Sequence, residues 1–168
     1  MRSTIGKAAL LVQFAFLLAL APACAASPEA QAYADQKCLT EGLYFEAGTE
    51  GEAGQIAVAE VILRRSITRG FPTTICKVVY NGAPAYGCQF SFACDGARVR
   101  PRGKALWKST WALAGRILKD RQAILDANTT QDAVFFHADY VDPNWEATMD
   151  VERTVQIGHH IFYRLKTE

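Results

Sequence analysis

The sequence has 168 residues, of which 50% are hydrophobic, and a formal net charge of +1. This near-neutral charge argues against a nucleic-acid partner, because nucleic-acid binding depends on clustered Lys and Arg side chains. The length suits one domain with a sizeable core, and the sequence contains neither an internal repeat nor a low-complexity linker.

The first 26 residues have the pattern of a secretory signal peptide. Arg2 and Lys7 give a basic start, and the short apolar run that follows ends in small residues. A basic region, a short apolar region and an Ala-x-Ala site together define such a peptide. We expect cleavage after Ala25 or Ala26.

The mature chain would then be residues 27–168, one exported domain in a secreted or periplasmic location. Loss of the two basic residues would change its formal charge from +1 to −1. No second apolar run reaches the roughly 20 residues that span a membrane, so we expect no stable membrane span after cleavage. An uncleaved N-terminal anchor and a lipidated Cys24 are the alternatives.

Four cysteines remain in the mature chain, and an even number in an oxidising compartment predicts two disulfides. Three pairings are open. We favour Cys38–Cys76 with Cys88–Cys94, because two helices around a bend at residues 48–51 would return the end of the second towards the start of the first. The cysteines form no Cys-x-x-Cys pair, so the sequence gives little support for a zinc site.

The first helix is expected to begin after Ser27. A serine at the N-cap, Pro28 with no N–H to satisfy, and Glu29 in the first turn are all typical of a helix start. Gly48 is expected to end it.

The second helix is predicted from about Glu52 to Thr68 and is apolar almost all round, which is typical of a central core helix. Arg64, Arg65 and Arg69 lie in its last turns, where cations complement the helix dipole. Gly70 then stops it.

Residues 73–102 are predicted to be mostly loop, with a short ordered piece at "TICKVVY". A third helix is predicted over Lys104–Lys119 and a short fourth one near Arg121–Ala127. One basic patch precedes and enters the third helix. Such a patch is usually a solvated loop, although in an exported protein it could also meet an acidic polymer; its members are Arg98, Arg100, Arg102 and Lys104.

The last third of the chain changes to β-branched and aromatic residues with a period of two. The segments "DAVFFHA" and "TVQIGHHIFYRL" are predicted to be two strands of a small antiparallel sheet, joined by the loop "DYVDPNWEATMDVER". Helices followed by a small sheet predict a helix-rich α+β fold.

Glu46 is the leading candidate for chemistry. It follows the apolar and aromatic residues Leu43, Tyr44 and Phe45 at the end of a helix, and burial there would disfavour its charged form and raise its pKa. A carboxyl that is protonated near neutral pH is what a general acid for glycoside cleavage needs.

Glu50 and Glu52 have a competing structural interpretation. Acids at the start of the second helix would complement its dipole and cap it. Glu50 lies four residues after Glu46, but Gly48 makes a shared helix face doubtful.

Nucleophile chemistry has weaker support. Cys94 with His137 or His160 would need a free thiol, and Ser91 lacks the glycine pattern of a nucleophile elbow. His159 and His160 adjoin in a predicted strand, so they should point to opposite faces and could not easily bind one metal.

The remaining aromatic candidates divide by position. Trp107 and Trp111 have helical spacing, which is more typical of a core than of a sugar platform. Trp145, in a polar loop, is the better candidate to stack on a sugar ring. For His137, a structural role at the edge of the sheet is as plausible as a substrate contact.

The sequence resembles the SleB/CwlJ-type cell-wall hydrolase family, which is known for spore-cortex-lytic enzymes and also occurs in Gram-negative bacteria. The resemblance extends in order from about Cys38 to Arg164. It depends on five stretches: "YFEAGTEGEAGQIAVAEVILRR", "FPTTICKVVYNG", "CQFSFACDG", "FFHADYVDPNW" and "IGHHIFYR".

This resemblance implies a lysozyme-like fold with one essential glutamate at a helix end, at the position of Glu46. It implies cleavage of the peptidoglycan glycan strand between N-acetylmuramic acid and N-acetylglucosamine, without a metal or organic cofactor. With Trp145, the residues expected to bind substrate are those that match family motifs: Glu50, Gln89, Ser91, Asp95 and His137.

The chain departs from the family pattern at Gly48 and Thr49, where the family usually has Arg and Gly, and at Ala53, where the family has its usual acid. A cation near Glu46 would lower its pKa, so the loss of that Arg bears on the chemistry.

The expected activity is therefore that of a lytic transglycosylase. A muramidase that uses water is the first alternative, and a non-catalytic glycan-binding protein on the same fold is the second. The sequence leaves the oligomeric state open.

Overall fold

The computed structural model describes residues 26–83, 87–95 and 103–166. No helix within these ranges is long and apolar enough to cross a membrane. Two predictions lie outside the described residues: the signal peptide as far as residue 25, and the basic residues Arg98, Arg100 and Arg102.

Two helices joined by a tight bend form the centre of the fold. Helix α1 spans Pro28–Ala47, and the Ser27 hydroxyl accepts a hydrogen bond from the N–H of Ala30 at 3.2 Å, which confirms the predicted cap. Helix α2 spans Gly51–Arg65 and is buried over most of its length, so the predicted central core helix is confirmed.

The end of α2 was predicted too late, at Thr68. The helix ends at Arg65, where the N–H of Thr68 bonds to the carbonyl of Arg65 at 3.1 Å and replaces the helical ladder by a tighter turn. Gly70, with φ of +93°, then turns the chain away from the helix axis.

The predicted disulfides are both confirmed. Cys38–Cys76 joins α1 to a short helix α3, Ile75–Val79, with the two Cα atoms 5.1 Å apart. Cys88–Cys94 closes a small loop, with the two Cα atoms 5.8 Å apart.

The loop closed by Cys88–Cys94 contributes residues to the cleft described below. Strands β1, Gly82–Ala83, and β2, Gly87–Cys88, pair in an antiparallel arrangement. A single 3₁₀ turn, Ser91–Ala93, follows β2 inside the disulfide loop. The loop thus has a fixed shape although it contains little regular structure.

The third and fourth predicted helices are confirmed as α4, Lys104–Lys119, and α5, Arg121–Ala127. Helix α4 packs on α1 through aromatic pairs. The rings of Trp107 and Tyr44, and those of Trp111 and Tyr33, have their centroids 5.5 Å apart. Both tryptophans therefore pack between helices, as their spacing indicates.

The sheet has three antiparallel strands in the order β3–β5–β4. Strand β3 is Phe135–Ala138, β4 is Val151–Ile157 and β5 is His160–Leu165. A short helix α6, Asn144–Thr148, lies between β3 and β4. The predicted helix-rich α+β architecture with a small antiparallel sheet is confirmed.

The prediction of one strand at "TVQIGHHIFYRL" was wrong. This segment forms most of the β4–β5 hairpin, and β4 begins earlier, at Val151 inside the predicted loop. Gly158 makes the turn with φ of +59°, a conformation that a residue with a side chain rarely adopts. The period-two pattern continues across the turn, which is why it suggested a single strand.

A buried carboxylate attaches α2 to the segment that leads into the sheet. Glu60 is fully buried and accepts hydrogen bonds from the hydroxyls of Thr129 and Thr130, both at 2.6 Å. Arg64 reaches the same segment through its ion pair with Asp132 at 2.8 Å. These contacts fix the sheet relative to the central helix.

We expect the two disulfides to stabilise the fold unequally. Replacing Cys38 and Cys76 by Ala opens a link across 38 residues, and replacing Cys88 and Cys94 opens one across 6 residues. Loop-closure entropy predicts losses in the free energy of unfolding of about 4 and about 2 kcal/mol respectively. Urea unfolding of the two double variants checks this, and a larger loss for the small loop would contradict it.

Candidate active site

Glu46 lies at the end of α1, where two clefts meet. The larger cleft has a volume of about 630 Å³ and the smaller one about 280 Å³. Five residues line both clefts, so the clefts form one continuous groove at this point. They are Phe45, Glu46, Ala138, Tyr140 and His160.

The surroundings of Glu46 raise its pKa to about 7 from 4.5. Burial has the largest effect, because it disfavours the charged carboxylate. The positive charge of Arg65 acts in the opposite direction, and the negative charge of Asp95 adds to the rise. Glu46 is therefore about half protonated near neutral pH.

Arg65 is the cation that accompanies Glu46 in the larger cleft, and it is only 1% exposed. Its Nε donates to the carbonyl of Val134 at 2.6 Å. Its guanidinium carbon lies 5.4–5.6 Å from the ring centroids of three phenylalanines. These are Phe71, Phe90 and Phe135. Such cation–π contacts favour a charged guanidinium in an otherwise apolar place.

The sequence analysis did not predict that Arg65 would lie beside Glu46, because cations in the last turn of a helix are usually explained by the helix dipole. Burial lowers the pKa of Arg65 to about 9, and the charge of Glu46 opposes that fall, so Arg65 is charged at neutral pH. A signal was present in the sequence. Arg65 follows the buried residues Val61 and Ile62 at helical spacing, which places it on an inward face.

Glu50 is attached to the turn of the β4–β5 hairpin. Its Oε2 accepts a hydrogen bond from the backbone N–H of His159 at 2.8 Å. A Cβ atom at Gly158 would lie 2.3 Å from the same oxygen. The carboxylate lines the smaller cleft, but this bond already engages one of its oxygens.

One part of the structural interpretation of these acids is confirmed, because Glu52 lies in the first turn of α2, where it complements the helix dipole. The other part, that the acids cap α2, is wrong. Glu50 occupies the N-cap position without a side-chain cap bond. Glu52 pairs with Arg116 instead, at 2.9 Å between two exposed side chains. Such a surface pair contributes little to stability.

His137 lines the larger cleft, but protein groups surround its ring nitrogens. Nδ1 lies 2.9 Å from the carbonyl oxygen of Ala138, so Nδ1 is the protonated nitrogen that donates there. Nε2 lies 2.9 Å from the hydroxyl of Tyr163, and Glu146 approaches it to 3.4 Å. These contacts match the structural role that was weighed for His137.

Trp145 lines the larger cleft and is half-buried. Its ring centroid lies 5.6 Å from that of His137 and 5.3 Å from that of Tyr163. The sheet therefore holds this indole in a fixed orientation beside the cleft.

The disulfide loop contributes Gln89 and Ser91, both exposed, to the lining of the larger cleft. Asp95 is not among the residues that line either cleft, although its charge acts on Glu46. The structure thus brings Gln89, Ser91, His137 and Trp145 together with Glu46 in the lining of one cleft, which Asp95 does not line.

Cys94 is part of a disulfide, so the thiol alternative that paired it with a histidine is wrong. His159 lies in the hairpin turn and only His160 lies in a strand, so the argument about opposite faces does not apply to this pair. Within the described ranges, no three His, Cys, Asp or Glu side chains are grouped so as to hold a metal ion.

Two residues of the groove had no predicted substrate role. Tyr140 is 82% exposed at the rim, and His160 is 6% exposed below it. Only the tertiary structure brings either of them to Glu46, because the turn after β3 and the start of β5 are distant from α1 in the sequence.

A half-buried carboxyl over a groove between helices and a small antiparallel sheet defines a lysozyme-like domain. Comparison of the sequence with models of known protein families identifies the family within this class. Residues 49–163 match the model described as "Cell Wall Hydrolase". The chain belongs to this cell wall hydrolase family. The match begins just after Glu46.

Solved structures and a curated relative agree with this membership. The catalytic domain of the germination-specific lytic transglycosylase SleB from Bacillus anthracis superposes with a TM-score of 0.54 at 25% identity, over 76% of this chain and 92% of that one. The catalytic domain of SleB from Bacillus cereus gives 0.54 at 26% identity, over 76% and 88%.

The curated relative is a spore cortex-lytic enzyme from Oceanobacillus iheyensis. It is 29% identical over 141 residues, which are 80% of this chain and 43% of the relative. The present chain therefore matches less than half of the length of that protein.

Glu46→Gln is expected to remove a pH dependence of stability. The folded-state pKa of Glu46, about 7, lies above the ordinary 4.5, so the folded protein binds more protons and the wild type loses stability as pH rises between these values. Relative to the variant, the loss by pH 8 is about 3 kcal/mol. Urea unfolding from pH 4 to pH 8 measures it, and parallel curves for the two proteins would contradict it.

Arg65→Met is expected to raise the pKa of Glu46 further, because the opposing positive charge is lost while an apolar side chain can still pack on the phenylalanines. An NMR titration of ¹³C-labelled glutamate side chains measures the change. Arg64→Met is the matched control, since Arg64 pairs with Asp132. It should reduce stability and leave the titration of Glu46 in place; an unchanged pKa in Arg65→Met would contradict the assignment.

Proposed function

We propose that this protein cleaves the glycan strand of peptidoglycan between N-acetylmuramic acid and N-acetylglucosamine, as a lytic transglycosylase with Glu46 as its acid and base. The observation that carries the proposal is the position and pKa of Glu46. Its carboxyl lies where two clefts meet, and its pKa is raised to about 7. An acid and base that must act in turn works best near that value.

The groove suits a polymer. Because Glu46 lines both clefts, a strand could lie through both with the bond to be broken near the carboxyl. The larger cleft combines a half-buried indole with the exposed polar side chains of Gln89 and Ser91. An aromatic face with nearby hydrogen-bonding groups is suited to sugar rings.

In the first step the protonated Glu46 donates its proton to the glycosidic oxygen, and the bond between that oxygen and C1 of the muramic sugar breaks. In the second step the resulting carboxylate removes the proton from the C6 hydroxyl of the same sugar. The C6 oxygen then bonds to C1, which gives a 1,6-anhydro ring and returns the proton to Glu46.

Arg65 has a positioning role in this scheme. Its charge stabilises the carboxylate that forms after the first step, and burial of both groups makes their attraction stronger than it would be in water. Gly48 stands where the family usually has an Arg, so that cation is absent here. Arg65, the last residue of α2, supplies a positive charge to the site instead.

The known relatives support the same chemistry. The two solved structures are catalytic domains of SleB, one of them described as a germination-specific lytic transglycosylase, and the curated relative is described as a spore cortex-lytic enzyme. A wall substrate also fits the proposed signal peptide and a periplasmic or secreted location, because peptidoglycan lies outside the cytoplasmic membrane.

The alternative is a muramidase in which water attacks C1. An ordinary glycosidase of this kind uses a second carboxylate about 5–5.5 Å or about 6.5–9.5 Å from the first. Glu50 is bonded to the hairpin turn, which leaves Asp95 as the stronger candidate because its charge acts on Glu46.

Mass spectrometry of fragments released from purified sacculi tests the proposal. We expect wild-type protein to produce anhydro-muramic ends, Glu46→Gln to produce no fragments, and Asp95→Asn to retain most activity. Reducing ends that vanish in Asp95→Asn would favour the muramidase. Wall binding without release by the wild type would favour a glycan-binding protein.

A further inference from the structure

His160 is a buried polar side chain at the junction of the two clefts that the proposed reaction does not use. It begins β5 and lines both clefts beside Glu46. The ring of Phe136 meets it nearly edge-on, with centroids 5.0 Å apart, and the ring of Phe162 lies 6.2 Å away. These two rings hold the imidazole in one orientation.

The two ring nitrogens of His160 have different surroundings. Nδ1 is enclosed and, among the residues that the structure describes, has no hydrogen-bond partner. An N–H group that is buried without an acceptor is rare in folded proteins. The proton of a neutral ring therefore belongs on Nε2, the nitrogen that is left to face the clefts.

The ring is neutral at the pH of the proposed reaction. Burial has the largest effect and lowers the pKa of His160, and the neighbouring His159 and His137 act in the same direction. The carboxylates of Glu50 and Asp139 oppose this fall but do not cancel it. His160 thus presents a single N–H donor to the groove rather than a charge.

The larger cleft also offers apolar side chains next to its polar ones. Phe45, Phe136 and Ala138 line it together with His160. A ligand group that matches both features needs a hydrogen-bond acceptor with a small apolar part attached to it. An acetamido group has this composition, since its carbonyl oxygen only accepts hydrogen bonds and its methyl group is apolar.

We propose that His160 is a specificity-determining residue that selects N-acetylated sugars, by donating a hydrogen bond from Nε2 to an acetamido carbonyl oxygen over Glu46. This inference rests on the proposed function, because it places a glycan strand in the groove. A sugar that has lost its acetyl group offers an amine or ammonium there. Such a group lacks both the carbonyl acceptor and the methyl group.

Binding measurements that need no turnover test this assignment. In the Glu46→Gln background, calorimetry compares tetra-N-acetylchitotetraose with the fully de-N-acetylated tetramer. We expect the acetylated sugar to bind more tightly, and His160→Phe to reduce that preference about tenfold, the value of one hydrogen bond. His160→Gln, which keeps an N–H donor, should retain most of the preference.

His159→Phe is the matched control, because it removes the neighbouring, exposed histidine. It should leave the preference within about twofold of its parent. The inference is overturned if His160→Phe keeps the full preference, or if Glu46→Gln binds neither tetramer. Thermal unfolding of each variant shows whether it folds. If His160→Phe does not fold, the inference is decided by the sugar preference of His160→Gln and by the spectroscopic test.

The spectroscopic test is ¹⁵N NMR of the three histidines in the wild-type protein. A neutral His160 with its proton on Nε2 at pH 7 supports the inference, and a proton on Nδ1 overturns it. Digestion of sacculi is measured separately. Wild-type protein that releases no glycan fragments refutes the proposed function, whereas digestion with an unchanged sugar preference in His160→Phe refutes this inference alone.

Discussion

The electrostatic balance between Glu46 and Arg65 is the constraint on which the rest of the site depends. Burial of the carboxyl raises its pKa, and the nearby guanidinium lowers it. Neither effect alone would give a pKa of about 7. Arg65 in turn can be charged in an apolar place because Val134 accepts its N–H and three aromatic rings face it.

Those three rings come from separate parts of the chain, which makes the pKa of Glu46 a property of the whole fold. Phe71 follows α2, Phe90 precedes the 3₁₀ turn and Phe135 begins β3. The contacts between Glu60 and the threonines fix the segment that leads to Phe135 relative to α2. The Cys88–Cys94 disulfide closes the loop that carries Phe90. The disulfide loop and the buried carboxylate thus support the site from a distance.

Burial of a carboxylate is not in itself a sign of chemistry in this protein. Glu60 and Glu41 are both more enclosed than Glu46. Glu60 accepts hydrogen bonds from two threonine hydroxyls, and both oxygens of Glu41 lie 3.0 Å from the ammonium of Lys37. Glu46 differs because it faces a groove that substrate can enter.

The sequence was sufficient where the deciding forces are local. Ser27, Gly48 and the apolar periodicity located the helices, and the order of elements predicted the α+β class. It failed at Gly158, because a period-two pattern continues unchanged through a tight turn. The places of Arg65 and His160 beside Glu46 were missed for a different reason. Helical spacing puts Arg65 on an inward face, but the strands and loops that surround both side chains come together only in the tertiary structure.

The contact between Glu50 and Gly158 also determines how these two positions can vary over evolution. A side chain at position 158 would occupy the space of the carboxylate oxygen and would have to adopt φ of +59°. Glu50 and Gly158 should therefore be replaced together, although they lie far apart in the sequence. Related chains that lose the glycine should also lose the acid, so covariation of this pair would mark the members that share this geometry of the smaller cleft.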